Sequence, residues 1–243
     1  HHTGRTTGAP ITDLALSMLS RIENENRPGY ISYFSRNKKG EPLKAATIAI
    51  RGVGGQGNLF FGKVLAQVAF LAGYDDRNIL KGETHGMAQM GGPVISTFGC
   101  GEGFSPALVP GTANVLIAME KAEVLRPGFL DLLEPGGTVL MADTRILPHG
   151  LKPEAYPSDE AIAAQLEGYR VVSVDVLSIA LNLGDPKGRC ANVAMLGVLS
   201  TLPPFDVVPE AVWLQALRGI SRKPALWDLN HAAFMAGRGM QKG

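Results

Sequence analysis

Apolar runs along the chain alternate with glycine-rich turns and with segments of helical spacing. The first strong run, residues 47–50, ends in a glycine-rich turn at 52–57, and an apolar helix is expected from 59 to about 72. The pattern predicts further strands at 78–81, 94–98, 114–119, 138–142 and 169–175, and helices at 120–125, 129–133, 159–166, 176–183, 191–202, 210–220 and 226–236. The central strands are apolar throughout, as expected where helices cover both faces of a sheet. The pattern predicts an α/β fold, a three-layer Rossmann-like, mostly parallel sheet with helices on both faces.

The organisation predicted from these elements has three parts. Residues 1–44 form an N-terminal arm or extension, 45–202 an α/β domain, and 203–243 a C-terminal helical segment packed on the same domain. The arm combines an amphipathic helical pattern at 10–26 with an aromatic stretch at 30–34. It reads either as an element that packs on a partner or as an extension folded on its own domain.

The predicted helix at 191–202 carries small residues at Ala191, Ala194 and Gly197. Small side chains at this spacing let a second helix approach closely. We therefore expect tight helix packing along that face. The segment 134–137, which contains Pro135 and two glycines, is expected to be a turn before the strand at 138–142.

Composition narrows the class of protein. The 243 residues carry a net charge of +1, which gives no electrostatic case for binding nucleic acid or an acidic membrane. Only two cysteines are present, Cys100 and Cys190, too few for a disulfide framework or for a metal or iron–sulfur site without other ligands. We expect inert thiols, no metal site and no membrane span, and a cytoplasmic protein.

The glycine-rich turn is the strongest candidate site. Gly52, Gly54 and Gly57 have the G-x-G-x-x-G spacing, between a strand and a helix. Unpaired backbone N–H groups at the start of that helix favour an anion, most often a phosphate. The cofactor-binding residues predicted here are Gly52, Gly54, Gly55, Gln56, Gly57 and Asn58. A turn that only packs the helix on the strand is the alternative.

The second candidate is the long segment 82–92, which places polar side chains among glycines and is expected to be a loop. His85 could act as a general base or only hydrogen-bond the loop backbone. Glu83 could contact a partner's cofactor or cap a loop amide. Elsewhere, Asp143 follows a buried strand at the edge where α/β ligands bind, although a cap or turn role is also open.

Two motifs together make the sequence recognisable. The turn at 52–57, followed by Glu83-Thr84-His85-Gly86-Met87-Ala88-Gln89, resembles the gamma subunit or gamma domain of the 2-oxoacid:ferredoxin (acceptor) oxidoreductases. The resemblance continues at 114–120, 135–138 and 192–197, and it covers roughly 45–200. Within the family the chain is most similar to the beta subunit of the indolepyruvate and related aryl-2-oxoacid enzymes, which is a gamma-type chain.

The resemblance implies a function that the chain performs only with others. Members of this family oxidatively decarboxylate a 2-oxoacid to an acyl-CoA, using thiamine diphosphate with magnesium and iron–sulfur clusters on partner subunits. The gamma unit is associated with coenzyme A binding and with completing the active-site cleft. It implies a hetero-oligomer, not active as an isolated chain, with no catalytic residue assigned. The loop expected to face the partner contains Glu83, Thr84, His85, Gly86, Met87 and Gln89.

Departures from the family pattern leave some points open. Many relatives carry arginine where this chain has Met90, and the extension at 1–44 has no counterpart in short members. The 2-oxoacid, the choice between ferredoxin and NAD as acceptor, and the stoichiometry are not specified by the sequence. Two alternatives are a self-contained NAD(P)-binding dehydrogenase, which needs an acidic residue after the second strand, and a non-catalytic nucleotide-binding scaffold.

Overall fold

The computed structural model describes residues 46–53, 58–74, 79–85, 93–101, 109–147, 150–221 and 223–240. The arm predicted at 1–44 and the central part of the glycine-rich turn, 54–57, lie outside these residues. Strands of the described sheet are β1 (Ala46–Val53), β2 (Ile79–His85), β3 (Pro93–Cys100), β4 (Ala113–Ala118), β5 (Leu133–Ala142) and β6 (Arg170–Val174). The α-helices of the described part are α1 (Asn58–Leu71), α2 (Asp159–Gln165), α3 (Val176–Asn182), α4 (Ala191–Leu199), α5 (Glu210–Ile220) and α6 (Pro224–Gly239).

The strands form one mixed sheet in the order β2-β3-β1-β4-β5-β6. β1, β4, β5 and β6 are parallel to their neighbours in that order, while β3 is antiparallel to both β1 and β2. The predicted α/β class with a mostly parallel sheet is confirmed. The exception to the parallel arrangement is β3, which runs antiparallel to both of its neighbours.

Both faces of the central strands are buried. Ile48, Ile50 and Ile117 face one hydrophobic cluster, which also contains side chains of α1 and α3 to α6. Ala49 and Leu116, at the alternate positions, face a second cluster against α2 and the short turns that follow β4. Because every position of these strands is covered, they are apolar throughout, as the sequence indicated.

The C-terminal helices belong to the first of these clusters. Trp213 of α5 is fully buried, with its ring centroid 6.2 Å from those of Phe205 and of Phe234 in α6. Helix α4 packs against α6, and Gly197 in α4 is buried in this contact. The expected tight helix packing along α4 is therefore confirmed.

Two sequence-based expectations about elements were wrong. Residues 82–85 continue β2 instead of opening a loop, because they pair with β3 as far as His85 opposite Val94. The expected turn at 134–137 is part of β5, where the pairing with β4 shifts register. By contrast, the short helices expected at 120–125 and 129–133 are confirmed as the 3-10 helices Lys121–Leu125 and Leu130–Leu132, with Pro127 and Gly128 between them.

Candidate functional site

The carboxyl ends of β1 and β2 lie at the same edge of the sheet. In the register, Val53 at the end of β1 pairs with Pro93, and His85 at the end of β2 pairs with Val94. The antiparallel strand β3 therefore begins between them. Consequently the glycine-rich turn after β1 and the segment after β2 leave the sheet within one strand of each other.

This edge also contains the point where the strand order reverses. From β1 the chain continues to β2 and β3 on one side, and from β4 it continues to β5 and β6 on the other. β1 and β4 are parallel neighbours, with Arg51 opposite Ala118. In open α/β sheets the crevice at such a switch point is where ligands bind.

The predicted cofactor-binding residues are only partly described. Gly52 is buried within β1, so the strand includes the first two residues of the turn predicted at 52–57, and Asn58 is the first residue of α1. A helix of 14 residues begins there, so its first N–H groups point towards the turn. Gly54, Gly55, Gln56 and Gly57 lie outside the described residues.

The predicted partner-facing loop is corrected in its first half. Glu83, Thr84 and His85 occupy β2, where the ladder with β3 fixes their backbone. In the ladder, Glu83 pairs with Ser96, which in turn pairs with Ile50 of β1. The remaining predicted loop residues, Gly86, Met87 and Gln89, lie outside the described part of the chain.

Glu120 is a buried carboxyl group directly after β4. Its Oε2 accepts a hydrogen bond from the backbone N–H of Ala122 at 3.0 Å, and its Oε1 accepts one from Ile146 N at 3.4 Å. The Tyr156 hydroxyl also donates to Oε1. Burial, as the largest cause, raises the pKa of Glu120 to about 7, against the lowering effect of the backbone donors. This side chain connects the segment after β4 to the segment after β5.

Glu123 and two arginines form a second charged group at the same edge, here called the Arg51 cluster (Arg51, Glu123 and Arg126). Arg126 donates from Nε and Nη2 to Glu123 Oε1 at 3.2 and 3.1 Å. Arg51 Nη1 lies 3.7 Å from Glu123 Oε2, and its guanidinium carbon lies 5.7 Å from the centroid of the Phe129 ring. The backbone carbonyl of Arg51 accepts from Met119 N at 2.8 Å, which joins the ends of β1 and β4.

Asp143 has a role that the sequence left open. Its Oδ1 accepts a hydrogen bond from Lys121 Nζ at 3.1 Å, and the same ammonium group lies 2.7 Å from Asp159 Oδ1. The hydrogen bond to Asp159 is the largest cause that raises the pKa of Lys121. Asp143 is thus part of an ion-pair group that ties the end of β5 to the start of α2.

The two cysteines are buried and not disulfide-bonded. Burial raises the pKa of both the Cys100 and the Cys190 thiol to about 11, so neither is an activated nucleophile. Among the described residues no three His, Cys, Asp or Glu side chains come together in a way that could hold a metal ion.

Sequence reasoning did not single out Glu120, Glu123, Arg51 or Arg126 as site residues. A usable signal was present, because Arg51 is the only charged residue in an apolar strand and Glu120 follows another buried strand at once. Charges at those positions lie at the carboxyl edge of a parallel sheet. By contrast, some shared motif positions serve the fold. Asn114 accepts from Thr47 N at 2.7 Å and donates to Glu134 at 2.8 Å.

The family assignment follows from comparison with known proteins. Residues 47–240 match the family described as pyruvate ferredoxin/flavodoxin oxidoreductase. The chain belongs to that family. A curated relative, indolepyruvate oxidoreductase subunit IorB of Thermococcus kodakarensis, is 33% identical over 201 residues, which are 80% of this chain and 95% of that protein. The resemblance to gamma-type chains of 2-oxoacid:ferredoxin oxidoreductases is confirmed.

Solved structures share the fold at lower identity. Pyruvate oxidoreductase subunit PORC of Thermotoga maritima is 21% identical with a TM-score of 0.60, covering 81% of this chain and 97% of that one. The 2-oxoglutarate:ferredoxin oxidoreductase of Magnetococcus marinus, solved with 2-oxoglutarate, coenzyme A and succinyl-CoA bound, is 20% identical with a TM-score of 0.61. It matches 82% of this chain and 31% of that longer one. These similarities concern the fold alone.

The N-terminal segment is similar to a different group of proteins. Residues 1–60 match the family described as YheO-like PAS domain. The protein YheO of Escherichia coli is 50% identical over 50 residues, which are 21% of each chain. This match spans too little of the chain to assign it to that family. The three-part division with an arm at 1–44 stays a prediction.

None of the helices in the described part of the chain has both the length and the hydropathy needed to cross a bilayer.

Proposed function

We propose that this chain is a gamma-type subunit, without iron–sulfur clusters of its own, of a multisubunit 2-oxoacid oxidoreductase. The complex would oxidatively decarboxylate a 2-oxoacid to an acyl-CoA in the cytoplasm. This chain would bind part of coenzyme A and complete the active-site cleft of a partner subunit. The observation that carries the proposal is the meeting of the β1 and β2 ends at one sheet edge, since it brings both shared motifs together.

Coenzyme A binding is argued from the end of β1. Its phosphates are anions, and the turn after β1 opens α1, whose first backbone N–H groups lack partners within the helix. Gly54, Gly55 and Gly57 would allow the backbone to approach the diphosphate, and Gln56 and Asn58 would offer amide groups to it. The Magnetococcus marinus enzyme, whose structure contains coenzyme A, has the same fold in the matching part.

The cleft-completing role is argued from the end of β2. Glu83, Thr84 and His85 lie on a strand, so their backbone is held more firmly than a loop would hold it. The segment that follows, with Gly86, Met87 and Gln89, would face the partner's active site. His85 would then lie close to the bound group that becomes the thioester, where it would orient that group or exchange a proton with it.

The remaining cofactors are assigned to the partners. A partner's thiamine diphosphate, held with magnesium, would supply the decarboxylation chemistry, and iron–sulfur clusters would remove the electrons. This chain's own contribution is to bind, orient and exclude water around the acyl acceptor. Both of its cysteines are buried with raised pKa values, which agrees with a subunit that holds no cluster.

The test is a kinetic series on the assembled complex in which coenzyme A and the 2-oxoacid are varied separately. Gly54→Val should mainly raise the KM for coenzyme A, and His85→Ala should lower turnover without releasing the subunit. A loss of roughly 1–3 kcal/mol, or about 5- to 150-fold, is typical of unmade polar contacts. The matched control for the glycine substitution is Gly239→Ala, since the space around Gly239 is open.

Two results would contradict these assignments. If Gly54→Val leaves the coenzyme A dependence unchanged, the glycine-rich turn is structural. If His85→Ala leaves turnover unchanged, the second motif does not reach the chemistry. An active, colourless single chain that uses NAD(P) would instead support the dehydrogenase alternative.

A further inference from the structure

The Arg51 cluster lies at the switch point, beside the turn proposed to bind coenzyme A. Arg51 is next to Gly52 in sequence, and strand alternation places its side chain on the sheet face opposite α1. Phe129 below it and Glu123 beside it come from the segment after β4. The guanidinium is therefore held by side chains of the segment that follows β4, close to the end of β1.

The charges within this cluster are not balanced. Two arginines share one carboxylate, and Arg126 occupies Glu123 Oε1 with two donors. The 3.7 Å separation between Arg51 Nη1 and Glu123 Oε2 is too long for a hydrogen bond. Burial lowers the pKa of Arg51, yet a guanidinium stays protonated at neutral pH. Glu120, which interacts electrostatically with Glu123 and Arg126 and whose pKa is raised to about 7, carries only a partial negative charge at neutral pH. Among the described side chains of this group, positive charge is therefore in excess.

Two buried polar atoms here lack a hydrogen-bond partner. Within the described part of the chain, neither Arg51 Nε nor Glu123 Oε2 makes a hydrogen bond. Leaving such groups unpaired is costly, so each calls for a partner beyond the described side chains, such as a water, an ion or a bound molecule. The Arg51 side chain keeps 21% of its surface exposed, and that of Arg126 keeps 40%, so the cluster can be reached from solvent.

We propose that Arg51, supported by Glu123 and Arg126, is a binding residue for one oxyanion of a substrate in the crevice between β1 and β4. A guanidinium presents parallel N–H donors that match a phosphate or a carboxylate. Phe129 and Glu123 fix its orientation, and Arg126 holds Glu123 in place. The oxyanion is either a phosphate of coenzyme A or the carboxylate of the 2-oxoacid. The inference rests on the proposed function and names a further residue of the same site.

The test uses the full-length chain for binding and the assembled complex for kinetics. Arg51→Gln removes the positive charge, and Arg51→Lys keeps the charge but loses the parallel N–H donors of the guanidinium. Arg170→Gln is the matched control. Arg170 is exposed on the edge strand β6, where it pairs with Thr138 at the amino end of the parallel strands. Binding of coenzyme A and of inorganic pyrophosphate is measured by calorimetry, and the KM for the 2-oxoacid is measured in the complex.

Arg51→Gln should weaken the binding of one class of oxyanion by roughly tenfold or more, as expected for the loss of a charge-assisted hydrogen bond. Arg170→Gln should change the binding of neither the phosphate ligands nor the 2-oxoacid. Weaker binding of coenzyme A and pyrophosphate identifies the phosphate, and a raised KM for the 2-oxoacid alone identifies the carboxylate. Glu123→Gln keeps the side-chain length and an acceptor oxygen for Arg126 but removes the negative charge that competes with the oxyanion. It should therefore strengthen binding of the same oxyanion, a result that a merely structural role of Arg51 would not produce.

The inference is overturned if Arg51→Gln and Arg170→Gln bind both ligands equally well. It is also overturned if Arg51→Gln weakens only subunit assembly, because its partner would then be an acidic side chain. Circular dichroism shows whether Arg51→Gln folds, and if it does not, Arg51→Lys takes its place in the comparison. Unchanged oxyanion binding by Arg51→Lys, together with weakened binding by Glu123→Gln, then counts against the inference. Gly54→Val separates the two proposals, since it tests the turn and leaves the Arg51 cluster intact.

Discussion

Gly237 of α6 lies directly against the backbone of Ala194 in α4. A Cβ atom on Gly237 would lie 2.0 Å from the carbonyl oxygen of Ala194, and one on Gly197 would lie 2.1 Å from that of Phe234. The two helices therefore touch backbone to backbone at both points. This contact fixes α6 against the core that supports β1 and β4.

Gly237→Ala should lower the free energy of unfolding by at least about 2 kcal/mol. The added methyl group meets backbone atoms, which cannot move without separating the helices, and overpacking of this kind costs roughly 1–3 kcal/mol or more. Gly219→Ala is the control, because Gly219 is an exposed helical position with open space around it. That change should leave stability unchanged or raise it by up to about 1 kcal/mol. Urea unfolding of both variants measures the change in the free energy of unfolding. Equal changes in the two variants would contradict the close backbone contact between α4 and α6.

Glu120 should make stability fall as the pH rises. Burial raises its pKa to about 7 in the folded protein, whereas a glutamate in an unfolded chain titrates near about 4.3. Between these values the unfolded chain has released a proton that the folded chain retains, so unfolding becomes more favourable with increasing pH. The stabilisation is fully present below the unfolded pKa, decreases as the pH rises towards the folded pKa, and is lost once the pH has risen through about 7.

The measurement compares wild type with Glu120→Gln, which keeps the shape but cannot ionise. Denaturant unfolding is followed from pH 5 to 8. Wild type should lose roughly 2 kcal/mol relative to the variant across this window. Parallel profiles would mean that Glu120 has an ordinary pKa. A wild type that gains stability with pH would mean that the donors at Ala122, Ile146 and Tyr156 dominate over burial.

Deleting residues 1–44 should weaken assembly with the partner subunits while the α/β domain stays folded. The sequence of this segment combines an amphipathic helical pattern at 10–26 with an aromatic stretch at 30–34, a composition that favours contact with another surface. Analytical ultracentrifugation of the truncated and full chains with the partners measures the affinity, and thermal unfolding reports on the domain. Assembly at unchanged affinity would show that the segment is not an interface element.

The sequence specified the fold well where burial is complete. Apolar runs such as 114–118 define β4 because both faces of that strand are covered, and the helix 210–220 matches α5 at both ends. It failed for β2, whose residues Gly82 to His85 are polar and glycine-rich. Pairing with β3 holds them in a strand, and no local pattern reports such pairing.

The site was predictable only in part. The glycine spacing identifies the end of β1, since tight turns demand a specific residue type. Arg51 and Glu123 were missed because they are 72 positions apart in sequence and meet only through the parallel pairing of β1 and β4. The raised pKa of Glu120 likewise depends on how the segments after β4 and β5 fold over it.

The most direct test of the proposed function is reconstitution of acyl-CoA formation. The partner subunits are assayed with thiamine diphosphate, coenzyme A, a panel of 2-oxoacids and a dye acceptor, with and without this chain, and the chain is also assayed alone. We predict acyl-CoA from the assembled complex, none from this chain alone, and at least a tenfold lower rate from the partners without it. Turnover by the isolated chain, or an unchanged acyl-CoA rate in its absence, would contradict the proposal.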